Sequence, residues 1–228
     1  MAGQDICVYE VSTAGPSLLA TIKNPVPGPG KPSHVQFGHG DGEVIVFSTH
    51  GLKVLVFELS TAKAVEVASP KWYHPTSAPR AYSVRPSTGH LALLTRVGGK
   101  DMLSIHDPSS RQLQRSWHPE TSDVQGVAWS PDGQWLLLWD AAIHGRRLLL
   151  YTPDGHLFRS LDGSDGTPDE VMALSQGIRS CRFSPDGELC AICDHSSSVA
   201  ILRAGSWRRD LALIHPSTVT PGSTVQVC

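Results

Sequence analysis

The chain has 228 residues, 40% of them hydrophobic, and 19 Lys and Arg against 21 Asp and Glu, for a formal charge of −2 at pH 7. That balance excludes the basic surface on which phosphate-backbone binding depends, so direct nucleic-acid binding is not expected. The five cysteines, Cys7, Cys181, Cys190, Cys193 and Cys228, are odd in number and irregularly spaced, which argues against a disulfide framework and for the cytosol or nucleus. No apolar run is long enough to span a bilayer, and the start has no basic segment leading into an apolar one, so neither a membrane span nor a secretory signal is predicted.

Gly (21) and Pro (17) are spread as punctuation between apolar runs, a pattern that suits many short strands and turns. In chain order, residues 6–11 and 18–22 read as two strands, followed by the Pro/Gly-rich loop from Asn24 to Pro32. Next, Val35-Gln36-Phe37 leads through Gly38-His39-Gly40-Asp41-Gly42 into Val44-Ile45-Val46-Phe47. Tyr82-Ser83-Val84 leads in the same way through Arg85-Pro86-Ser87-Thr88-Gly89 into Leu91-Ala92-Leu93-Leu94. The pattern is plainest in Val127-Ala128-Trp129-Ser130-Pro131-Asp132-Gly133 before Leu136-Leu137-Leu138, and in Cys181-Arg182-Phe183-Ser184-Pro185-Asp186-Gly187 before Leu189-Cys190-Ala191-Ile192. Each is a hairpin: Pro fixes φ at the second turn position, and Asp and Gly accept the geometry that follows.

Further strands follow each hairpin, at 52–59 and 64–67, 102–106 and 113–117, 147–151 and 157–161, and 199–202 and 210–214. That makes four strands per unit. Units starting near Val35, Ala81, Val124 and Ile178 are spaced by 46, 43 and 54 residues, close to the roughly 40 to 45 of a WD-type propeller blade. The fold class predicted is all-β: a WD-repeat-type β-propeller of about four and a half degenerate blades of antiparallel strands, forming an incomplete ring.

The expected organisation is a partial blade at 1–23, a Pro/Gly-rich loop at 24–34, blades at 33–68, 80–118, 123–161 and 177–215, an inter-blade insertion at 162–176, and a tail or start of a further blade at 216–228. A ring that opens in mid-blade implies a fragment whose open ends expose apolar sheet faces.

Chemistry was sought against this background. Cys190-Ala191-Ile192-Cys193-Asp194-His195 has metal-like spacing but no second cysteine pair, and residues three apart on a strand point to opposite faces. No nucleophile elbow and no phosphate loop is present, and Gly98-Gly99 reads as a two-residue hairpin turn. No catalytic, cofactor-binding or metal-binding residue is assigned, no cofactor is expected, and no partner-binding face is assigned. His144-Gly145-Arg146-Arg147 and Trp207-Arg208-Arg209 are small basic spots near turns, and Trp72-Tyr73-His74-Pro75 is a loop aromatic cluster suited to an exposed contact. Trp117, Trp129, Trp135 and Trp139 lie in or beside strands and read as blade-packing residues.

Two features bear on identity. Trp139-Asp140, the only Trp-Asp dipeptide, follows the Ser-Pro-Asp-Gly turn directly, whereas the dipeptide that names WD repeats closes the next strand, and no Gly-His pair at a blade entrance supplies the usual His-to-Asp network. In contrast, the run from Asp123-Val124-Gln125-Gly126 through Trp139-Asp140, then Leu148-Leu149-Leu150-Tyr151-Thr152-Pro153-Asp154-Gly155, Gly177-Ile178-Arg179-Ser180 and Ile214-His215-Pro216, resembles the WD-repeat proteins of centrosomes and spindle poles. That resemblance implies a non-enzymatic adaptor that anchors microtubule minus ends with a coiled-coil partner and, in fungi, a minus-end-directed kinesin. Two other readings stay open: the propeller domain of a serine peptidase, since the same hairpin occurs there, and a WD-repeat adaptor of an unrelated complex.

Overall fold

The computed structural model describes residues 5–23, 32, 34–48, 53–67, 69–71, 81–144, 147–161, 177–195 and 198–213. Most of the 24–34 loop, the 162–176 insertion, the Trp72 to Pro75 cluster and the 216–228 tail lie outside these residues.

Among the described residues eighteen strands form five sheets, each an antiparallel meander with neighbours in sequence paired in space. The first holds two strands, β1 (Ile6–Ser12) and β2 (Gly15–Ile22). The second holds β3 (His34–Phe37), β4 (Glu43–Ser48), β5 (Lys53–Glu58) and β6 (Lys63–Glu66). The third holds β7 (Tyr82–Val84), β8 (Leu91–Val97), β9 (Lys100–His106) and β10 (Leu113–Trp117). The fourth holds β11 (Val124–Trp129), β12 (Leu136–Asp140), β13 (Leu148–Tyr151) and β14 (Leu157–Leu161). The fifth holds β15 (Ile178–Phe183), β16 (Leu189–Asp194), β17 (Val199–Arg203) and β18 (Arg208–Leu213). This is the blade series of a β-propeller.

Strand β9 begins two residues before the predicted 102, because Gly98 and Gly99, with φ of 57° and 79°, make a two-residue turn that pairs Val97 directly with Lys100. A primed turn needs positive φ at both central positions, and glycine supplies it without steric cost.

The middle strands explain the unbroken apolar runs. Along a strand, successive side chains point to opposite faces, and here both faces are covered. Leu136 and Leu138 join the core shared with the second and third sheets, whereas Leu137 and Trp139 join the core shared with the fifth. Ile45 and Phe47 likewise face the third sheet while Val44 and Val46 face the first. Each fully buried Leu contributes about 1.5–3 kcal/mol relative to exposure, so a four-residue run such as β12 holds two seams at once. The fourth strand of the second sheet has no such role: β6 is exposed throughout and reads Lys-Ala-Val-Glu. Among the described residues no buried cluster joins the first sheet to the fifth, and Tyr9, Val11, Leu18 and Leu19 of the two-stranded sheet are exposed.

Candidate protein-interaction surfaces

The two ends of each sheet carry different chemistry. At one end lie the hairpins joining first to second strands. In the fourth blade the Ser130 hydroxyl accepts the Trp135 N–H at 2.9 Å, Asp132 accepts the Gln134 N–H at 3.0 Å, and the Gly133 N–H donates to the Ser130 carbonyl at 2.9 Å. Ser184, Asp186, Glu188 and Leu189 repeat the arrangement in the fifth, and hydrogen bonds from the Ser184 hydroxyl and the Glu188 N–H hold the Asp186 carboxyl below its ordinary range.

The closing glycine does more than turn. A Cβ on Gly133 would lie 2.3 Å from Arg85 Nε in the preceding blade, one on Gly89 would lie 2.9 Å from His39 Cβ, and one on Gly187 would touch Pro131 at 3.5 Å. Each turn is seated on the turn before it.

At the opposite end a buried charge cluster pins the third blade to the fourth. Lys71, 5% exposed, donates from Nζ to Asp101 at 2.9 Å, to Asp123 at 2.6 Å and to the Val124 carbonyl at 2.7 Å. Asp101 also accepts the Val124 N–H at 2.6 Å, and Arg96 reaches Asp123 at 3.0 Å and Asp101 at 3.3 Å. Burial pushes the Asp123 carboxyl upward, but the Lys71 hydrogen bond and charge, with Arg96, outweigh it and hold the group below its ordinary value. Two cations facing two carboxylates leave little net charge, which suits a structural clamp.

Beside the clamp, Asp140 at the end of β12 accepts the backbone N–H groups of Asp123 at 3.1 Å and Ser122 at 3.4 Å, with Arg147 Nη1 at 3.8 Å. Burial raises its carboxyl above the ordinary range. No Gly-His pair stands at a blade entrance to supply a His-to-Asp network, and among the described residues no histidine hydrogen-bonds to Asp140; the aspartate caps the entrance to the first strand through main-chain donors. Ser48 and Asp194 are the buried last residues of β4 and β16, and Thr95 is the last buried residue of β8, which runs two exposed residues further.

Other residues singled out from sequence fall as follows. Trp129 and Trp139 are buried, and Trp117 and Trp135 pack against the cores while partly exposed. Trp207 is a correction: it is fully buried, edge-on to Trp135 at 5.8 Å between ring centres, so Trp207-Arg208-Arg209 is no continuous surface spot. Its φ is 55°, and Arg111 in the corresponding turn of the third blade has a φ of 58° and is likewise buried, whereas Ala62 at that position in the second blade has a φ of 55° and is exposed. In the His144 to Arg147 spot, Arg147 is drawn to Asp140. Cys190 is buried with its thiol pushed up to about 12 by burial, Cys193 is partly exposed, and among the described residues no three His, Cys, Asp or Glu side chains converge as a metal site would require. Among these residues too, no helix is long and apolar enough to cross a membrane.

Sequence reasoning missed a cleft of about 340 Å³ between the third and fourth blades at the hairpin end, lined by Arg85, His90, Ile105, Gln114, Arg115, Trp129, Pro153 and Asp154. Arg85 lies over the Trp129 ring, 5.3 Å from its centre, and Arg115 Nη1 donates to the Asp154 carbonyl at 2.6 Å. The decayed third-blade turn, with Arg85 where the fourth and fifth blades have Ser130 and Ser184, was the available signal.

The four-stranded meanders and their repeated turns give this chain the fold of a β-propeller. Residues 111–137 match the WD domain, G-beta repeat, family. The chain is 28% identical over 186 residues to WD repeat-containing protein WRAP73 of Mus musculus, covering 81% of this chain and 37% of that protein. It is 25% identical over 177 residues to an uncharacterised WD repeat-containing protein of Schizosaccharomyces pombe, covering 76% of this chain and 34% of that one. The chain thus spans about a third of the length of the curated relatives it matches. In fold it is similar to the hydrazine synthase of Kuenenia stuttgartiensis, with a TM-score of 0.59 and 20% identity over 85% of this chain and 51% of that one, a likeness of fold alone.

Proposed function

We propose that this chain is the propeller part of a non-enzymatic adaptor working at the centrosome or spindle pole, where it helps to anchor microtubule minus ends. The supporting observations are the similarity to WRAP73 over 81% of the chain and the stretch from Asp123 onward, whose motifs resemble the pole-associated WD-repeat proteins. Its partners are proteins: a coiled-coil anchoring protein and, in fungal systems, a minus-end-directed kinesin. A stack of sheets clamped by buried charge and apolar seams offers rigid surfaces on which short contacts cost little ordering entropy. The units proposed are a partial blade at 1–23, a Pro/Gly-rich loop at 24–34, blades at 33–68, 80–118, 123–161 and 177–215, an insertion at 162–176, and a tail or the start of a next blade at 216–228.

The test is localisation and capture. Tagged full-length protein expressed in dividing cells should concentrate at spindle poles and co-purify with a coiled-coil protein. Even distribution through mitotic cytoplasm with no such partner recovered would refute the assignment.

A further inference from the structure

The cleft between the third and fourth blades holds polar groups that the fold leaves unused. Arg85 Nε and Trp129 Nε1 are both buried without a hydrogen-bond partner. Among the described residues Arg85 makes no hydrogen bond or ion pair through its side chain; its neighbours are the Trp129 ring and Gly133. His90 engages Thr88 Oγ1 through Nδ1 at 2.7 Å, and its Nε2 has no partner among the described residues. Unpaired buried nitrogens also occur at Arg111, Trp117, Trp139 and Trp207, so what marks this cleft is the pairing of the unengaged Arg85 guanidinium with Arg115 in one lining.

We infer that this cleft is a recognition site for the carboxylate-bearing side chain of an acidic peptide segment. Arg85 supplies a planar guanidinium that matches a carboxylate in two-point geometry, and Arg115 adds a second positive charge at the rim. Asp154 offsets part of that charge, but its carboxylate is satisfied by the Thr152 hydroxyl and lies beside Arg115, so it leaves Arg85 free. Trp129, Ile105 and Pro153 provide an apolar wall. A volume of about 340 Å³ exceeds what a bare inorganic anion fills, and a carboxylate on an apolar stem uses both kinds of lining.

This inference refines the scaffold reading without depending on the pole assignment, since peptide binding can fail in a protein that still localises to poles, and the reverse. The experiment titrates the 228-residue chain with N-acetyl-tetraglutamate amide, following tryptophan fluorescence and heat, with N-acetyl-tetraglutamine amide as control and inorganic phosphate as competitor. Saturable binding of tetraglutamate alone is expected, weakened at least tenfold in Arg85→Gln. Arg115→Gln, at an exposed position, should weaken it severalfold and guards against a folding defect in the first variant. Binding that is absent, equal for tetraglutamine, or unchanged in both variants overturns the inference. So does saturable phosphate binding lost in Arg85→Gln without tetraglutamate binding, which would make the cleft a phosphate site.

Discussion

Gly126 lies directly beneath the indole of Trp139: a Cβ added to Gly126 would sit 2.1 Å from Trp139 Cζ2 and 2.6 Å from Cε2. The two are paired across β11 and β12, immediately after a register shift between Val124 and Gly126. Trp139 is 3% exposed and belongs to the core shared with the fifth blade, so the ring has little freedom to withdraw. Gly126→Ala should therefore lower stability by about 1–3 kcal/mol, the usual range for overpacking. Urea unfolding measures this, and the double variant with Trp139→Leu should recover part of the loss. A single variant as stable as the parent would contradict the contact.

Lys71 neutralises two carboxylates at the third-to-fourth seam. Removing one partner of a buried pair leaves charge unpaired and costs about 3–5 kcal/mol. Lys71→Met should destabilise the chain by an amount near that range, and Lys71→Met with Asp101→Asn should cost less than the two single changes added together. Strict additivity in a double-mutant cycle would show that the groups act independently.

His106 gives the pH prediction. Burial holds its imidazole below the ordinary 6.5. The neutral ring with its proton on Nδ1 donates to the Arg111 carbonyl at 3.1 Å, while Nε2 lies 3.0 Å from the Ser104 hydroxyl, which donates to the Leu93 carbonyl at 3.1 Å. Because the unfolded chain takes up the proton first, this contribution is present above 6.5 and is lost as pH falls toward the lower folded value. Unfolding free energy should thus decrease from neutral pH toward pH ~5.5, and His106→Gln should flatten that decline. An identical slope in parent and variant would remove His106 as its source.

Thiol chemistry should separate by depth. Cys190 is buried with its thiol pushed up to about 12, whereas Cys7 is exposed. Since the thiolate is the reactive species, iodoacetamide at mildly alkaline pH should modify Cys7 in the folded chain and Cys190 only in denaturant. Mass spectrometry of tryptic peptides reads both, and rapid native labelling of Cys190 would count against its placement.

The blade pattern was legible because the second strands bury both faces. Leu136 to Trp139 could be apolar without interruption only in a sheet covered on each side, and the Ser-Pro-Asp-Gly turns fixed where such strands begin. Long-range polar pairing was not legible. Lys71 and Asp101 are thirty residues apart, and Lys71 and Asp123 fifty-two, so nothing local announces their meeting. Trp207 was misplaced for a different reason: its ring is buried edge-on against Trp135 and Phe183, and the adjacent Arg208-Arg209 gives no local sign of that packing. No Gly-His pair stands at a blade entrance, but backbone N–H groups serve Asp140, and main-chain donors are invisible in a string of side chains.

The seating of each hairpin glycine on the turn behind it gives the stack a direction. Gly89 meets His39, Gly133 meets Arg85 and Gly187 meets Pro131, always reaching toward the amino terminus. On the ribosome, where amino-terminal segments emerge first, every new turn finds its seat already built, so the blades can lock one by one in the order of their synthesis.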